Sequence, residues 1–364
     1  MDAYEYGLPR SAIAQMPVEP RSSARLLIGP GIDDGPVSRH VTVADMAGLL
    51  RPGDVLVVNE TRVLAARLEL VKSTGGMAEV LLVEPFRRAD GSDVDDGGTD
   101  DWEALVRPGR RLPPGTPLFE VGGTAPVVEV GEMVDHDPEG AGTRRIKLLD
   151  PSVVARSGSL PLPPYIQQRL ADPERYQTVY SGRRDLADQS AAAPTAGLHF
   201  TPELLEACRR AGADIATVDL TIGLDTFRPI TSDTAEGHVI HTERYSVPES
   251  TSRACSEADR VVAVGTTAVR ALEAAAATGQ MTGRTDLYIH GDYQFRVVDV
   301  LLTNFHLPRS SLLLLVEAFC GPVWRDLYAD ALARGYRFLS FGDAMLVGRS
   351  GPKGTPVWNV AGAK

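Results

Sequence analysis

The chain has 364 residues, of which 43% are hydrophobic, and carries a formal net charge of −11 at pH 7. A chain of this length and apolar content can bury a large core, and its length favours two domains. The acidic balance excludes a protein that coats nucleic acid non-specifically, because such binding depends on Lys and Arg, although a local basic patch is compatible with it.

We expect a cytoplasmic protein with no membrane contact. The start, MDAYEYGLPRS, lacks a basic region followed by an apolar run, and Glu317 interrupts the most apolar stretch, Leu312 to Val316. The cysteines at 208, 255 and 320 lie far apart. Their spacing argues against a disulfide framework and against a cysteine zinc site.

Within the first 150 residues, the pattern of apolar runs and turn residues changes near Leu68. Residues 51 to 68 predict a turn, a buried strand from Val55 to Val58 and a second apolar run. From there to about Leu149, short β-like runs alternate with Gly, Pro and Asp turns, and no helical pattern stands out. This pattern of short runs and turns predicts an inserted all-β, barrel-like domain.

Beyond Pro151 helices and strands alternate. In chain order the patterns predict a helix over 201–212, strands over 214–223 and 259–265, a helix over 266–279, a strand over 295–305, a helix over 311–319 and a strand over 336–347. Such alternation predicts an α/β fold with a mixed sheet. We therefore expect an α/β catalytic domain formed by residues 1–67 and 151–364, with the barrel-like domain at 68–150.

Three turns are candidates for a ligand site, because ligands of α/β folds collect beyond the carboxyl ends of strands. They are residues 265–267 (GTT), 303–306 (TNFH) and 342–343 (GD). The first turn joins a strand to a helix whose free amide groups can hold an anionic or polar group, with Thr266 or Thr267 as the cap.

Five of the seven histidines fall between residues 199 and 306, in the part of the chain with most candidate turns. Histidine titrates near neutrality and suits proton transfer. His238 and His241 are three residues apart, but the β-branched residues between them favour a non-helical segment, so we expect no metal site. A purely structural role stays open for each histidine.

Nine blocks, in order, resemble one family along nearly the whole chain. The family is S-adenosylmethionine:tRNA ribosyltransferase-isomerase, which acts in queuosine biosynthesis. The blocks are PRSSARLL (20–27), PGDVLVVNETRVLAARL (52–68), WEALVRPGRRLPPG (102–115), LPLPPYI (160–166), RYQTVYS (175–181), AAPTAGLHF (192–200), VGTTAVRALE (264–273), VVDVLLTNFHLPRSSLLLLVEAF (297–319) and YRFLSFGDAM (336–345).

The resemblance implies a two-domain fold with an inserted β-barrel and an unusual reaction. The ribosyl part of S-adenosylmethionine moves onto the aminomethyl group of a 7-deazaguanine in a tRNA anticodon and rearranges to epoxyqueuosine, while adenine and methionine leave. S-adenosylmethionine is then a co-substrate, and no other cofactor or metal is implied. The sulfonium acidifies the adjacent 5′ methylene, so a base can begin the reaction and an acid can assist the departure of adenine.

On this resemblance we assign expected roles to individual residues. Expected catalytic residues are His199, His241, His306 and Asp343. Expected to bind the donor are Thr195, Gly197, Phe227, Thr266, Thr267, Asn304 and Phe305. Expected to bind the acceptor are Asn59, Glu60, Arg62, Asp225, His238 and Arg270.

The loop at 193–200 is interpreted as a close-approach loop in which small residues admit the nucleoside. His199 then supplies proton transfer or a hydrogen bond, and the alternative is a helix-entry turn with a packed histidine. Thr201 is the expected N-cap of the following helix, with Pro202 at its first position.

Acidic residues depart from the family pattern at Glu60, Asp225, Asp292 and Glu317, and they leave the acceptor open. We take tRNA as the acceptor, with the basic residues 107, 110 and 111 facing it. Carboxylates repel an RNA phosphate but can hold an amine or hydroxyl of a small substrate. The alternatives are therefore a paralogue acting on a free nucleoside or nucleobase, and a non-enzymatic donor sensor or RNA-binding module. The sequence leaves the oligomeric state unknown.

Overall fold

The computed structural model describes residues 1–33, 35, 38–86, 100–109, 112–134, 142–182, 190–223, 230, 232, 234–238, 240 and 242–358. The chain forms two compact units. The first comprises Met1–Thr61, Pro163–Gly182 and Ala193–Lys364, and the second comprises Arg62–Leu162 and Arg183–Ala192. The expected insertion at 68–150 falls within the second unit, and its exact boundaries stay a prediction.

The strands, in chain order, are β1 (Arg25–Ile28), β2 (Arg39–Thr42), β3 (Asp54–Asn59), β4 (Arg67–Lys72), β5 (Met77–Pro85), β6 (Asp101–Arg107), β7 (Thr116–Phe119), β8 (Pro126–Met133), β9 (Thr143–Leu148), β10 (Gly158–Ser159), β11 (Asp214–Leu220), β12 (Glu243–Ser246), β13 (Arg260–Val264), β14 (Thr282–Thr285), β15 (Val300–Asn304) and β16 (Ala344–Gly348). The α-helices are α1 (Val153–Ser157), α2 (Pro202–Arg210), α3 (Glu249–Glu257), α4 (Thr266–Thr278), α5 (Ser311–Cys320) and α6 (Trp324–Ala333).

In the first unit, nine strands within the described ranges form one mixed sheet in the order β14-β12-β11-β3-β13-β15-β16-β1-β2. Strands β11, β3, β13 and β15 are mutually parallel, so their carboxyl ends meet at one edge. Strand β16 is antiparallel to β15, and Ala344 pairs with Asn304. The residue before β16, Asp343, therefore lies at the same edge as the end of β15.

The core of this unit packs helices against the parallel strands. Every residue of β3 is buried, as expected for a strand covered on both faces. Helix α2 contributes Leu204, Leu205 and Cys208 to the same apolar cluster as Leu56 and Val58 of β3. Helix α4 is buried from Thr266 to Ala276 and is rich in alanine, which allows a helix to approach its neighbours closely.

The second unit contains an antiparallel barrel. Its strands follow the order β4-β5-β6-β9-β8-β7, and a β7–β4 pairing closes the ring, while β10 pairs with β4. Strand β6 alternates buried with less buried residues, and Trp102 is among the buried ones. The predicted α/β unit with a mixed sheet and an inserted all-β barrel is confirmed.

Most predicted elements after Pro151 are present. The helices expected near 201–212, 266–279 and 311–319 are α2, α4 and α5, and the strands expected near 214–223 and 259–265 are β11 and β13. The Thr201 hydroxyl accepts a hydrogen bond from the Leu204 N–H group at 3.2 Å, and Pro202 is the first helical residue, as expected. The patterns do not predict strands β1, β2, β10, β12 and β14 or helices α1, α3 and α6.

Two predicted strands are too long because carboxylates bind the backbone at their starts. The Glu273 carboxylate accepts hydrogen bonds from the N–H groups of residues 296, 297 and 298 at 2.8–3.1 Å, so β15 begins only at Val300. The prediction of a strand over 336–347 is wrong before Ala344. There the Asp343 carboxylate accepts from the Arg337 N–H group at 2.8 Å and holds a turn.

Within the described ranges, no helix is long and apolar enough to cross a membrane.

Trp102 tests the barrel core. Trp102 is 1% exposed, whereas Met77, another barrel residue, is 59% exposed. Truncating a buried Trp removes transfer free energy and leaves a cavity, so we expect Trp102→Ala to lower the free energy of unfolding by about 3–5 kcal/mol. Met77→Ala should change it by less than about 0.5 kcal/mol. Urea unfolding measures both variants, and equal effects would contradict a barrel core built around Trp102.

Candidate active site

A cleft lies at the sheet edge where the parallel strands end. It encloses about 600 Å³ of empty space, including part that is open to solvent. Its walls come from the turns after β13 and β15 and from loops that face them. The lining residues are Tyr165, Ala193, Pro194, Thr195, Ala196, Ile222, Gly265, Thr266, Thr267, Thr303, Asn304, Phe305, His306, Leu307, Ser310, Leu312, Leu339 and Ser340.

The Asn304 side chain links three segments at the cleft. Its Oδ1 accepts a hydrogen bond from the Thr195 hydroxyl at 3.0 Å. Its Nδ2 donates to the Asp343 backbone carbonyl at 3.4 Å and lies 3.3 Å from Nε2 of His199. Since an amide nitrogen only donates, His199 accepts through Nε2 and carries its proton on Nδ1.

His199 is buried behind Asn304 and is not among the residues that line the cleft. Burial lowers its pKa to about 4, and the negative charge of Asp343 acts in the opposite direction. The Asp343 carboxylate itself accepts from the N–H groups of Arg25 at 2.9 Å and Arg337 at 2.8 Å. It also pairs with the Arg25 guanidinium at 3.0 Å. His199 is therefore neutral near pH 7.

His306 lines the cleft directly, and its main chain is firmly held. Its Nε2 lies 2.8 Å from the Thr303 hydroxyl. Its N–H group donates to the Tyr328 hydroxyl at 3.0 Å, and its carbonyl accepts from the Tyr6 hydroxyl. Burial lowers the pKa of His306 to about 3. His306 therefore also presents a neutral ring near pH 7.

The N-terminus of α4 forms another wall. Gly265 is its N-cap, with φ 87° and ψ 154°, a conformation that is open essentially to glycine alone. No side chain caps this helix, so the prediction of a threonine cap is wrong. The Thr267 hydroxyl is buried and has no hydrogen-bond partner among the described residues. The first turn of α4 thus presents uncapped amide groups at the cleft.

The loop at 193–200 contains a turn of 3-10 helix from Thr195 to His199. This turn places Thr195 on the cleft wall and His199 behind it. Gly197 does not line the cleft. A Cβ atom at Gly197 would lie 1.9 Å from the Tyr180 hydroxyl. The close approach of this glycine is therefore to Tyr180 within the protein.

Phe305 belongs to an aromatic cluster beneath the cleft. Its ring stacks on Phe338, with 4.7 Å between the ring centroids, and meets the Tyr328 ring edge to face at 5.1 Å. Phe305 is fully buried although it contributes to the lining of the cleft. An aromatic face beside a sulfonium thus stays a prediction for this residue.

The expected acceptor residues that the structure describes are not among the residues that line the cleft. The Asn59 amide joins β3 to β11, because its Nδ2 donates to the Leu220 carbonyl at 3.0 Å and its Oδ1 accepts from the Leu220 N–H group at 3.2 Å. Glu60 follows β3, and its N–H group donates to the Val218 carbonyl at 2.9 Å. Arg62 belongs to the second unit.

Arg270 and His238 have partners of their own. Arg270 pairs with the buried carboxylate of Glu243 and donates from Nε to the Leu287 carbonyl at 3.2 Å. The His238 ring meets the Tyr288 ring edge to face, with 5.7 Å between centroids. Other predicted residues lie outside the described part of the chain, namely Asp225, Phe227, His241, Arg110 and Arg111.

Sequence reasoning missed some residues of the cleft. The hydroxyl groups of Tyr165 and Ser340 lie 2.7 Å apart, although the two residues are 175 positions apart in the chain. Leu339 has φ 68°, a left-handed conformation that is strained for a leucine. The signal that could have found them is the occurrence of all three residues in blocks that resemble the family.

The sequence is similar to a known protein family and to named relatives along most of its length. Residues 1–347 match the family described as queuosine biosynthesis protein. A Rubrobacter xylanophilus relative is 45% identical over 347 residues, 95% of this chain and 97% of its own. A Thermus thermophilus relative is 46% identical over 360 residues, 95% of this chain and 99% of its own. Both relatives are named S-adenosylmethionine:tRNA ribosyltransferase-isomerase.

A solved structure is similar as well. The crystal structure of an S-adenosylmethionine tRNA ribosyltransferase from Thermotoga maritima matches with a TM-score of 0.51 and 33% sequence identity. The match covers 95% of this chain and 99% of the other.

The two buried histidines predict an acid-sensitive fold. Their pKa values lie below the ordinary value of 6.5, so the unfolded chain binds more protons and stability is lost as pH falls from about 6.5 towards 4. Between pH 6.5 and 5 we expect the free energy of unfolding to drop by about 3 kcal/mol for the two together. Urea unfolding at several pH values between 6.5 and 5 measures this drop in the free energy of unfolding. His306→Asn should remove about half of the drop, and a flat profile for the unmodified chain would contradict the burial argument.

Proposed function

Because this chain belongs to the queuosine biosynthesis protein family, we propose that it transfers and isomerises the ribosyl group of S-adenosylmethionine onto tRNA. The acceptor is the aminomethyl group of a 7-deazaguanine in the anticodon, and the products are epoxyqueuosine, adenine and methionine. The observation that carries the proposal is the match, over 95% of the chain, to relatives about 45% identical that bear this enzyme's name. A tRNA substrate is consistent with a cytoplasmic enzyme.

The cleft at the sheet edge supports this assignment. Five residues expected to bind the donor, which are far apart in the sequence, line it together: Thr195, Thr266, Thr267, Asn304 and Phe305. Its mostly apolar wall, with polar groups at a few positions, is typical of a site for a small organic ligand. We assign this cleft to S-adenosylmethionine.

The histidines differ in their access to the donor. His306 lines the cleft, so its ring is placed to accept a proton from the 5′ methylene beside the sulfonium. His199 contacts Asn304 and not the cleft. We therefore assign proton transfer to His306, and assign His199 to holding the Asn304 amide towards the donor.

Two of the acidic departures from the family pattern, Glu317 and Asp292, lie where their charge is offset or screened. The Glu317 carboxylate accepts from the guanidinium of Arg325 at 2.9 Å and from Nε1 of Trp324 at 3.3 Å, so an arginine offsets its charge. Asp292 is exposed, where solvent and salt screen its charge. These placements favour tRNA over a small-molecule acceptor. On the barrel, Arg107 is exposed and is available to a phosphate.

The two histidines should respond differently to substitution. We expect His306→Gln to lower kcat for adenine release by about 10²–10⁴-fold, the typical contribution of a general base, with little change in the KM for the donor. His199→Ala should mainly raise that KM, because Asn304 loses its partner. Steady-state kinetics at pH 7.5 gives both values, after melting curves have shown that each variant is folded. A larger fall in kcat for His199→Ala would reverse the assignment.

Adenine release tests the acceptor. The chain is incubated with S-adenosylmethionine and one of three additions, which are an anticodon stem-loop bearing the aminomethyl-deazaguanine, the unmodified stem-loop, or no RNA. Adenine is then measured by chromatography. We expect release only with the modified stem-loop, together with methionine, and a steep fall in rate as salt rises, because phosphate contacts release counterions. Release that is indifferent to RNA would contradict the tRNA assignment.

A further inference from the structure

Two buried hydrogen-bond donors on α4 have no partner among the described residues. They are the Thr267 hydroxyl and the Nη2 group of Arg270. Each residue is only 8% exposed. A buried polar group without a partner costs free energy, so its retention in a folded protein calls for an explanation.

These donors share one face of the helix. Residues three positions apart on an α-helix are neighbours on its surface, so the side chains of Thr267 and Arg270 lie one above the other. Thr267 lines the cleft, and Arg270 is one turn farther along α4. The uncapped N–H groups of the first turn point out of the N-terminal end of the helix, and the helix dipole adds partial positive charge there.

Arg270 keeps one hydrogen-bond donor without a partner among the described residues, although it is not among the residues that line the cleft. Its Nη1 already pairs with Glu243, and Glu243 also accepts from the Gly223 N–H group at 3.1 Å. Its Nε is used by the Leu287 carbonyl. Only Nη2 is therefore unused in the described structure, and it is a donor with no capacity to accept.

Helix amides, a hydroxyl and a guanidinium N–H together favour a carboxylate. S-adenosylmethionine carries one carboxylate, on its methionyl part, and its sulfonium and amino groups are cationic. We propose that the donor's methionyl carboxylate binds at the N-terminus of α4, where it accepts hydrogen bonds from the first-turn amides and from the Thr267 hydroxyl, with the Arg270 guanidinium one turn behind Thr267. This subsite rests on the proposed function, and it directs the ribosyl part of the donor towards Asn304 and His306.

The test compares two ligands that differ only in the carboxylate. Calorimetry measures the Kd of S-adenosylmethionine and of decarboxylated S-adenosylmethionine for the full chain and for Thr267→Val. A hydrogen bond to a charged group makes a difference of about 10- to 100-fold in affinity. We expect the full chain to bind the decarboxylated ligand at least about tenfold more weakly. Thr267→Val should weaken S-adenosylmethionine by about tenfold and leave the decarboxylated ligand within about twofold.

Two controls separate this role from a structural one. Without ligand, Thr267→Val should melt at or above the temperature of the unmodified chain, because valine keeps the volume and removes an unpaired buried hydroxyl. Thr267→Ser keeps the hydroxyl and should recover most of the affinity for S-adenosylmethionine. A lower melting temperature for Thr267→Val, with both ligands weakened equally, would assign the hydroxyl to the fold and overturn the subsite.

Failure of the subsite is distinguishable from failure of the proposed function. A chain that releases adenine with the modified stem-loop but binds both ligands equally well overturns the carboxylate subsite alone. A chain that binds neither ligand and releases no adenine overturns the proposed function together with the subsite.

Discussion

The candidate active site depends on the hydrogen bonds of one amide, that of Asn304. Its oxygen accepts from Thr195, and its nitrogen faces Nε2 of His199 and the carbonyl of Asp343. Thr195 and Asp343 are more than 100 residues apart in the chain, and the pairing of Asn304 with Ala344 in strands β15 and β16 places Asp343 beside Asn304. A single side chain thus fixes where the loop at 193–200, the end of β15 and the turn before β16 meet.

Burial keeps the two histidines at this edge of the sheet uncharged. A histidine in a low-dielectric environment loses its charged form, and both His199 and His306 are neutral for that reason. A cationic sulfonium is then not repelled by the site. At the opposite wall, the first turn of α4 offers donors and partial positive charge, which suits the anionic end of the same ligand. The cleft thus combines a neutral histidine with hydrogen-bond donors at the first turn of α4, which suits a ligand such as S-adenosylmethionine that carries both a cation and a carboxylate.

Local patterns predicted the parts of the fold that local physics determines. Helix α2 follows a threonine cap and a first-position proline, and α4 ends at Gly279 in the left-handed conformation, so both could be predicted from sequence. The strand expected over 336–347 is absent before Ala344 because the Asp343 carboxylate binds the backbone N–H group of Arg337 and that of Arg25, which is 318 positions away. Alternating apolar residues cannot reveal such a distant partner.

Some residues of the candidate site could likewise be predicted from local sequence, and others could not. Thr267 and Asn304 could be predicted because Thr267 follows the buried strand β13 and Asn304 ends the buried strand β15, and ligands of α/β folds collect at such strand ends. The Tyr165–Ser340 contact could not be predicted, although both residues lie in family-like blocks, since neither follows a strand and only the folded chain brings the two hydroxyls together. Phe305 has the residue type expected beside a sulfonium, yet its ring packs within the aromatic cluster. Residue type alone does not reveal which way a side chain points.

The most direct test of the assignment of the cleft is a crystal structure of the chain with bound S-adenosylmethionine. We expect the donor to lie in the cleft, with the sulfonium and ribose between Asn304 and His306 and the carboxylate at the first turn of α4. A donor bound elsewhere, with the cleft occupied only by water, would contradict the assignment of this cleft to the reaction.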